Sequence, residues 1–206
     1  CIRDRYEDAM NDYNTAISIN PGEAYVYANR AITEADMGDY KSAEKDYSKA
    51  LIIDKELLPA YLNRAIMREK LDDWEGAIED CNMAIKLNMF SDDAYGLRGY
   101  LHFKEKKYHD AIEDYNKALK INPQNKRILM SRAITWYEMK KFPEAMEDYT
   151  AVLKVDSTYA YAYYNRALLR AEIGETNKAI DDLDQVLEMN PVSYTHLRAH
   201  ETLMNL

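Results

Sequence analysis

The fold of this chain is decided by residues 94–123, AYGLRGYLHFKEKKYHDAIEDYNKALKINP, because the same pattern recurs at a spacing of 34 residues. Further copies occupy residues 24–54, 60–88, 128–156 and 162–191. Within each copy, apolar residues recur at helical spacing in two runs, which a short polar turn separates. Neither run can bury its apolar stripe alone, so each unit must stack against its neighbours. The sequence therefore predicts an all-α array of helix–turn–helix units.

Small and large residues hold fixed places in every unit, numbered here from residues 24, 58, 92, 126 and 160. Position 7 is always Arg, position 8 is Ala or Gly, position 20 is Ala, and position 27 is Ala or Val. Position 24 carries Tyr, Cys or Leu. This pattern resembles the tetratricopeptide repeat, although that family often has Leu at position 7. The resemblance implies a right-handed α-solenoid of tetratricopeptide helix–turn–helix repeats.

The same register divides the chain into repeats and predicts what lies at either end. The first residues match the second helix of a repeat whose first helix would lie upstream. Beyond the last repeat the pattern stops, and VSYTHLRAHET at 192–202 resembles one reading frame of a sequencing-library transposon adapter. We therefore expect a non-native tail there, with a divergent capping segment as the alternative. The predicted divisions are 1–23 (truncated repeat), 24–57 (repeat 1), 58–91 (repeat 2), 92–125 (repeat 3), 126–159 (repeat 4), 160–191 (repeat 5) and 192–206 (tail).

Composition and charge narrow the functions that the chain could have. A net charge of −9 argues against non-specific nucleic-acid binding, which needs a basic surface. No apolar run approaches the ~18 residues of a membrane-spanning helix. His102 and His109 lie on different predicted helices, without Cys at metal-ligand spacing, and there is no Gly-rich phosphate loop. The sequence thus predicts no catalytic residue, metal site or cofactor, and it places Cys81 at a buried position.

Two charged residues recur as faithfully as the small ones. Position 7 is Arg and position 23 is Asp in all five units. Both positions flank residues of the seam between the two helices, so the pattern predicts one Arg–Asp ion pair per repeat. The alternative is a row of Arg presented to an acidic ligand, but ligand-contacting residues would be expected to vary between units. The predicted ladder consists of Arg30, Arg64, Arg98, Arg132 and Arg166 with Asp46, Asp80, Asp114, Asp148 and Asp182.

The resemblance also implies a ligand groove. Similar arrays line a concave face with positions 2, 5, 6, 9, 12 and 13 of their first helices, and here aromatic and apolar residues gather on it in repeats 3–5. Asn at position 6 can hydrogen-bond the backbone of a ligand. The Lys and Asn clamp with which one subclass holds chaperone carboxylates is missing. The predicted groove residues are Asn29, Asn63, Tyr100, Phe103, Met130, Tyr137, Tyr161, Tyr164 and Asn165. Alternatively, the Tyr side chains only tile the surface between adjacent first helices.

The function that these features predict is a scaffold for protein–protein interaction, which binds a peptide or a partner helix in the groove. One alternative is a docking module of a larger enzyme or sensor whose catalytic domain lies elsewhere. Another is an architectural array that associates with itself through its end repeats. The many Tyr residues, 18 in all, resemble those of bacterial arrays of this family.

Overall fold

The computed structural model describes residues 2–189, and this part of the chain forms eleven α-helices and no strand. The predicted tail at 192–206 lies outside the described residues. No described helix is both long enough and apolar enough to cross a membrane. In chain order the helices are α1 (Ile2–Ile19), α2 (Ala24–Asp36), α3 (Tyr40–Ile53), α4 (Leu58–Lys70), α5 (Trp74–Leu87), α6 (Asp92–Lys104), α7 (Tyr108–Ile121), α8 (Lys126–Glu138), α9 (Phe142–Val155), α10 (Ala160–Glu172) and α11 (Thr176–Met189).

The described residues divide into two compact units, residues 2–121 (unit 1) and residues 122–189 (unit 2). In unit 1, the helices pair within repeats as α2 with α3, α4 with α5 and α6 with α7. Successive repeats of unit 1 meet where α1 contacts α2, α3 contacts α4 and α5 contacts α6. In unit 2, α8 pairs with α9 and α10 with α11, while α9 contacts α10. Each of the five repeats predicted from the sequence thus contains one helix pair.

A left-handed residue ends the first helix of every pair. Position 15 has a φ between 59° and 83° in all five repeats, and it is Gly38, Asp72, Lys106, Lys140 and Gly174 in turn. Gly adopts this conformation at little steric cost, whereas the Asp and the two Lys adopt it against the preference of a residue with a Cβ. The N–H groups of positions 15 and 16 donate to the carbonyls of positions 12 and 11, which satisfies the helix end. The chain therefore reverses within three residues.

Small residues let the two helices of each pair approach closely, as the sequence predicted. Positions 8, 20 and 27 are buried in every repeat. At position 24, Tyr47, Tyr115 and Tyr149 are at most 2% exposed, and Cys81 is a fully buried free thiol. In repeat 3 the helices leave no room for a side chain at position 8, because a Cβ on Gly99 would lie 2.8 Å from the ring of Tyr115. The predicted burial of Cys81 is therefore confirmed.

Candidate functional site

The Arg–Asp pair predicted from positions 7 and 23 is present in every repeat. In each case Nε and Nη2 of the Arg donate to the two carboxylate oxygens at 2.5–2.9 Å. This bidentate geometry is the strong form of a charged hydrogen bond. It joins the first helix of a repeat to its second helix. The pairs are Arg30–Asp46, Arg64–Asp80, Arg98–Asp114, Arg132–Asp148 and Arg166–Asp182.

The guanidinium groups of Arg30, Arg64, Arg98 and Arg166 also bind the preceding repeat. In unit 1, Nη1 of each Arg donates at 2.5–2.9 Å to the side chain at position 25 of the repeat before it, which is Asn14, Ser48 or Asn82. In unit 2, Arg166 Nη1 donates to Thr150 Oγ1 at 3.3 Å. Four of the five guanidinium groups lie 5.4–5.8 Å from the centre of the Tyr ring at position 4. Because these Arg donors are engaged inside the array, the geometry favours the structural interpretation of the ladder over anion recognition.

In repeats 2 and 5, position 11 places a second Arg beside the same Asp, whereas repeat 1 has an acidic residue there. Arg68 Nη1 lies 3.0 Å from Asp80 Oδ2, and Arg170 Nη1 lies 2.8 Å from Asp182 Oδ2. Repeat 1 has Glu34 instead, and its buried Oε2 has no hydrogen-bond partner among the described residues. Burial, followed by repulsion from the nearby position-23 Asp, raises the pKa of Glu34 to about 7.

Unit 1 exposes apolar side chains on its first helices, α2, α4 and α6. We call the side chains at positions 2, 5, 6, 9, 12 and 13 of these helices the first-helix face of unit 1. Tyr25 is 63% exposed, Ile32 45% and Ile66 38%. Tyr100 and Phe103 are partly exposed on α6. Isolated exposed apolar residues are common, but several on neighbouring helices form a surface of the kind that binds partners.

Two charged residues of the same face, Glu69 and Lys70, are paired with each other. Tyr100 Oη donates to Glu69 Oε1 at 3.2 Å, which links α6 to α4. Lys70 Nζ lies 3.1 Å from the other carboxylate oxygen of Glu69. Lys104 Nζ lies 6.0 Å from the centre of the Tyr100 ring. Burial, with the nearby Glu69 carboxylate as the next cause, raises the pKa of the Tyr100 hydroxyl. Glu69 is thus occupied within unit 1.

The three Asn residues at position 6 differ in what they bind. Burial raises the pKa of Tyr47 to about 12, and a hydrogen bond from Asn63 opposes part of that effect. Asn165 Nδ2 donates to the backbone oxygen of Tyr161 at 2.8 Å. Asn29 is exposed, and its side chain makes no hydrogen bond to any residue that the structure describes. Among the three, Asn29 therefore has the amide that is most available to a ligand.

Unit 2 presents the equivalent positions on α8 and α10. Tyr161 is 54% exposed and Tyr164 is partly exposed. Tyr137 is also partly exposed, and its hydroxyl donates to Glu172. That hydrogen bond is the main reason why the pKa of Tyr137 is raised to about 12. Unit 2 therefore has aromatic surface of its own, although one of its Tyr hydroxyls is already bonded.

Met130 does not fit the prediction that it lines a groove. Its side chain is 4% exposed, so a ligand in solution cannot reach it without a rearrangement. Exposure at position 5 differs between repeats, since Met130 is buried whereas Tyr164 is partly exposed. In repeat 2, Leu62 at the same position packs against the core of unit 1. Met130 therefore belongs to the packing of the array.

Sequence reasoning included Tyr100 at position 9 but missed the aliphatic residues at the same position of other repeats. Ile32, Ile66 and Leu168 stand there, and each is between 37% and 45% exposed. Aliphatic residues in a helical repeat normally indicate a core position, so their type alone did not mark them as surface. The usable signal was their place within the register, because position 9 belongs to the set that forms the face of the first helices.

The described residues include neither a cluster that could bind a metal ion nor a reactive thiol. Among residues 2–189, no group of three His, Cys, Asp or Glu side chains is arranged to hold a metal ion. Burial raises the pKa of the Cys81 thiol to about 12, which keeps it protonated and unreactive near neutral pH.

Family models identify the repeats independently of this geometry. A tetratricopeptide repeat model matches residues 92–125, and a second one matches residues 24–56 and 160–193. A TPR repeat model matches residues 135–174. Together the matches cover more than half of the chain, so the chain belongs to the tetratricopeptide repeat family. The predicted fold class is confirmed, and membership supports a protein-interaction scaffold in general terms, since such proteins are typically non-catalytic.

Several solved structures share this fold. YrrB, described as a TPR protein with an unusual peptide-binding site, is 22% identical; the match covers 92% of this chain and 97% of YrrB, with a TM-score of 0.68. PilF of Pseudomonas aeruginosa is 20% identical, over 96% of this chain and 91% of its own, with a TM-score of 0.78. MamA from Desulfovibrio magneticus RS-1 is 15% identical, over 82% and 95%, with a TM-score of 0.73. No curated protein matches the sequence.

Proposed function

We propose that this protein is an interaction scaffold that binds an apolar segment of a partner protein, a peptide or a helix, on its first helices. The exposure of Tyr25, Ile32 and Ile66 on the first-helix face of unit 1 is the observation that carries the proposal. Exposed apolar surface on adjacent helices is costly in water, and a partner's apolar side chains would remove it from water. Tyr100 and Phe103 extend the same surface onto α6.

The charges of unit 1 indicate what kind of segment would bind. Arg30, Arg64 and Arg98 are paired with Asp, so they are not a recognition site for an acidic tail. Glu69 is bonded to Tyr100, so it is a poor partner for a basic ligand. The segment should therefore be mainly apolar or aromatic. The free amide of Asn29 would hydrogen-bond its backbone.

Tyr137, Tyr161 and Tyr164 would make the corresponding contacts in unit 2. Tyr suits such contacts because it offers a large, rigid surface with few rotamers to lose on binding. The alternative that these side chains only tile the surface between first helices predicts that their replacement changes stability and leaves binding intact. Measuring both properties for each variant separates the two interpretations.

The experiment uses the full chain and a fluorescent, uncharged amphipathic peptide of about 16 residues with Leu on one face, spaced to occupy a row of helices. Ile32→Asp and Ile66→Asp should each weaken its binding at least about tenfold, because central contacts contribute on the order of 2 kcal/mol. Met83→Asp is the matched control, since Met83 is 37% exposed but lies on the second helix α5. Equal losses in all three variants, or none in any, would count against the proposal.

A further inference from the structure

Helix α3 of repeat 1 (Tyr40–Ile53) has a basic outward face. Lys41, Lys45 and Lys49 are exposed and stand four residues apart, so they lie along one side of the helix over ~12 Å. Ile52 follows three residues later on that side and is 70% exposed. We call these four side chains the lysine face. It lies on a second helix, so it is separate from the first-helix face of unit 1.

The other repeats have different chemistry at the same positions. Position 22 is Lys45 in repeat 1 but Glu or Asp in repeats 2–5. Position 29 is Ile52 in repeat 1 but Lys or Glu in the others. In repeat 3, positions 22 and 26 form an ion pair in which Lys117 Nζ lies 2.6 Å from Glu113 Oε1. The fold therefore accepts a stabilising acid–base pair at the place where repeat 1 has two lysines.

The neighbouring lysines of this face repel one another. Like charges four residues apart on a helix repel each other, and the sequence of α3 contains two such pairs. Across the described residues, no ion pair involves Lys41, Lys45 or Lys49. The chain as a whole carries a net charge of −9, so these three lysines form a basic patch on an acidic protein. Packing gives no reason for this arrangement, since all three side chains point into solvent.

We propose that the lysine face binds an acidic helical segment of a partner protein that carries an apolar residue at one end. The charges of the segment would meet the three ammonium groups, and its apolar residue would cover Ile52. A stripe of ~12 Å suits two or three helical turns of a protein. An extended polyanion such as DNA, or an anionic membrane, would reach beyond the stripe to the acidic remainder of the chain and be repelled.

The test uses the full chain and two helical peptides of about 16 residues that differ in direction. One has Glu at four-residue spacing followed three residues later by Leu, and the other has the reverse order. The better of the two should bind more tightly than a scrambled peptide at about 50 mM salt and weaken at about 500 mM, because salt screens such charges. Lys45→Glu should weaken it at least tenfold, whereas Lys86→Glu, on the exposed surface of α5, should change it little.

Stability provides a second readout that separates lost binding from lost folding. In Lys45→Glu the new carboxylate would stand four residues before Lys49, as Glu113 stands before Lys117 in repeat 3. The melting temperature should therefore rise by about 1–3 °C while binding of the acidic peptide falls. Binding of the uncharged Leu peptide should stay unchanged, which distinguishes this surface from the first-helix face of unit 1.

Three results would overturn the proposal. One is that neither acidic peptide binds better than its scrambled form. Another is that Lys45→Glu and Lys86→Glu bind the acidic peptide equally well. The third is that vesicles rich in anionic lipid, or double-stranded DNA, bind the protein more tightly than either peptide and lose that binding in Lys45→Glu. That last outcome would assign the lysine face to a different class of partner.

Discussion

Replacing Glu34 by Gln should stabilise the protein above neutral pH and leave its stability unchanged in mild acid. Two carboxylates, those of Asp46 and Asp39, lie near Glu34 and repel its charge. One guanidinium, that of Arg30, attracts the charge of Glu34 and is itself paired with Asp46. Its Oε2 is buried without a partner among the described residues. An ionised carboxylate in this place loses solvation and meets like charge, and an amide avoids both costs.

The magnitude follows from the shift in the pKa of Glu34. A rise from 4.5 to about 7 corresponds to about 3 kcal/mol of preference for the protonated form. Because the side chain is only partly buried and solvent screens its charge, we expect about 1–2 kcal/mol. The folded protein binds the proton more tightly than the unfolded chain does. The contribution of Glu34 to stability is therefore greatest below about pH 4.5, falls as the pH rises toward about 7, and stays low above that.

Thermal melting of the parent and of Glu34→Gln at several pH values between about 5 and 8.5 measures this effect. We expect the variant to melt about 3–6 °C higher at the alkaline end and at nearly the same temperature at the acid end. Glu79→Gln, an exposed glutamate on α5, is the control and should show no such dependence. A difference between parent and Glu34→Gln that is constant across the pH range would refute the reasoning, because the cost would then not come from ionisation.

Three further predictions concern the scaffold. Arg98→Ala should cost about 3–5 kcal/mol in urea unfolding, since it removes the bidentate partner of a buried Asp. A loss below about 1 kcal/mol would contradict the assigned role. Lys106→Gly should stabilise the protein by about 0.5–1 kcal/mol and Gly174→Ala should destabilise it by a similar amount, because both residues have a left-handed backbone conformation. A lower melting temperature for Lys106→Gly, or a higher one for Gly174→Ala, would exclude this cause. In a Cys1→Ser background, Cys81 should react with a thiol reagent only after unfolding, and fast labelling of the native protein would show that it is accessible.

The features that the sequence predicted well are those that repeat. Ala or Gly at position 8 and Ala at position 20 recur because two helix backbones can meet closely only over small side chains, so their period revealed the helix pairs. Arg at position 7 and Asp at position 23 are sixteen residues apart in every repeat, and their constancy indicated an ion pair. Such features can be predicted without atomic distances, because the same residues occur at the same positions in all five repeats.

The features that the sequence could not predict depend on a single neighbour. Met130 and Tyr164 occupy the same position, and only the packing around each shows that the first is buried and the second partly exposed. Asn63 and Asn29 are the same residue at the same position, yet one amide bonds to a buried Tyr and the other has no partner among the described residues. In the sequence, Glu34 looks like any glutamate of a helix, and only the structure shows that it lies close to the carboxylate of Asp46. These properties differ between repeats, so the register does not reveal them.

Methyl NMR of the full chain with labelled Ile side chains tests most directly whether partners bind on the first helices. Ile32 and Ile66 are exposed on α2 and α4, whereas Ile52 and Ile180 are exposed on the second helices α3 and α11. On addition of the uncharged amphipathic Leu peptide, we predict that the methyl signals of Ile32 and Ile66 shift and that those of Ile52 and Ile180 do not. Shifts confined to Ile52 and Ile180 would contradict the account.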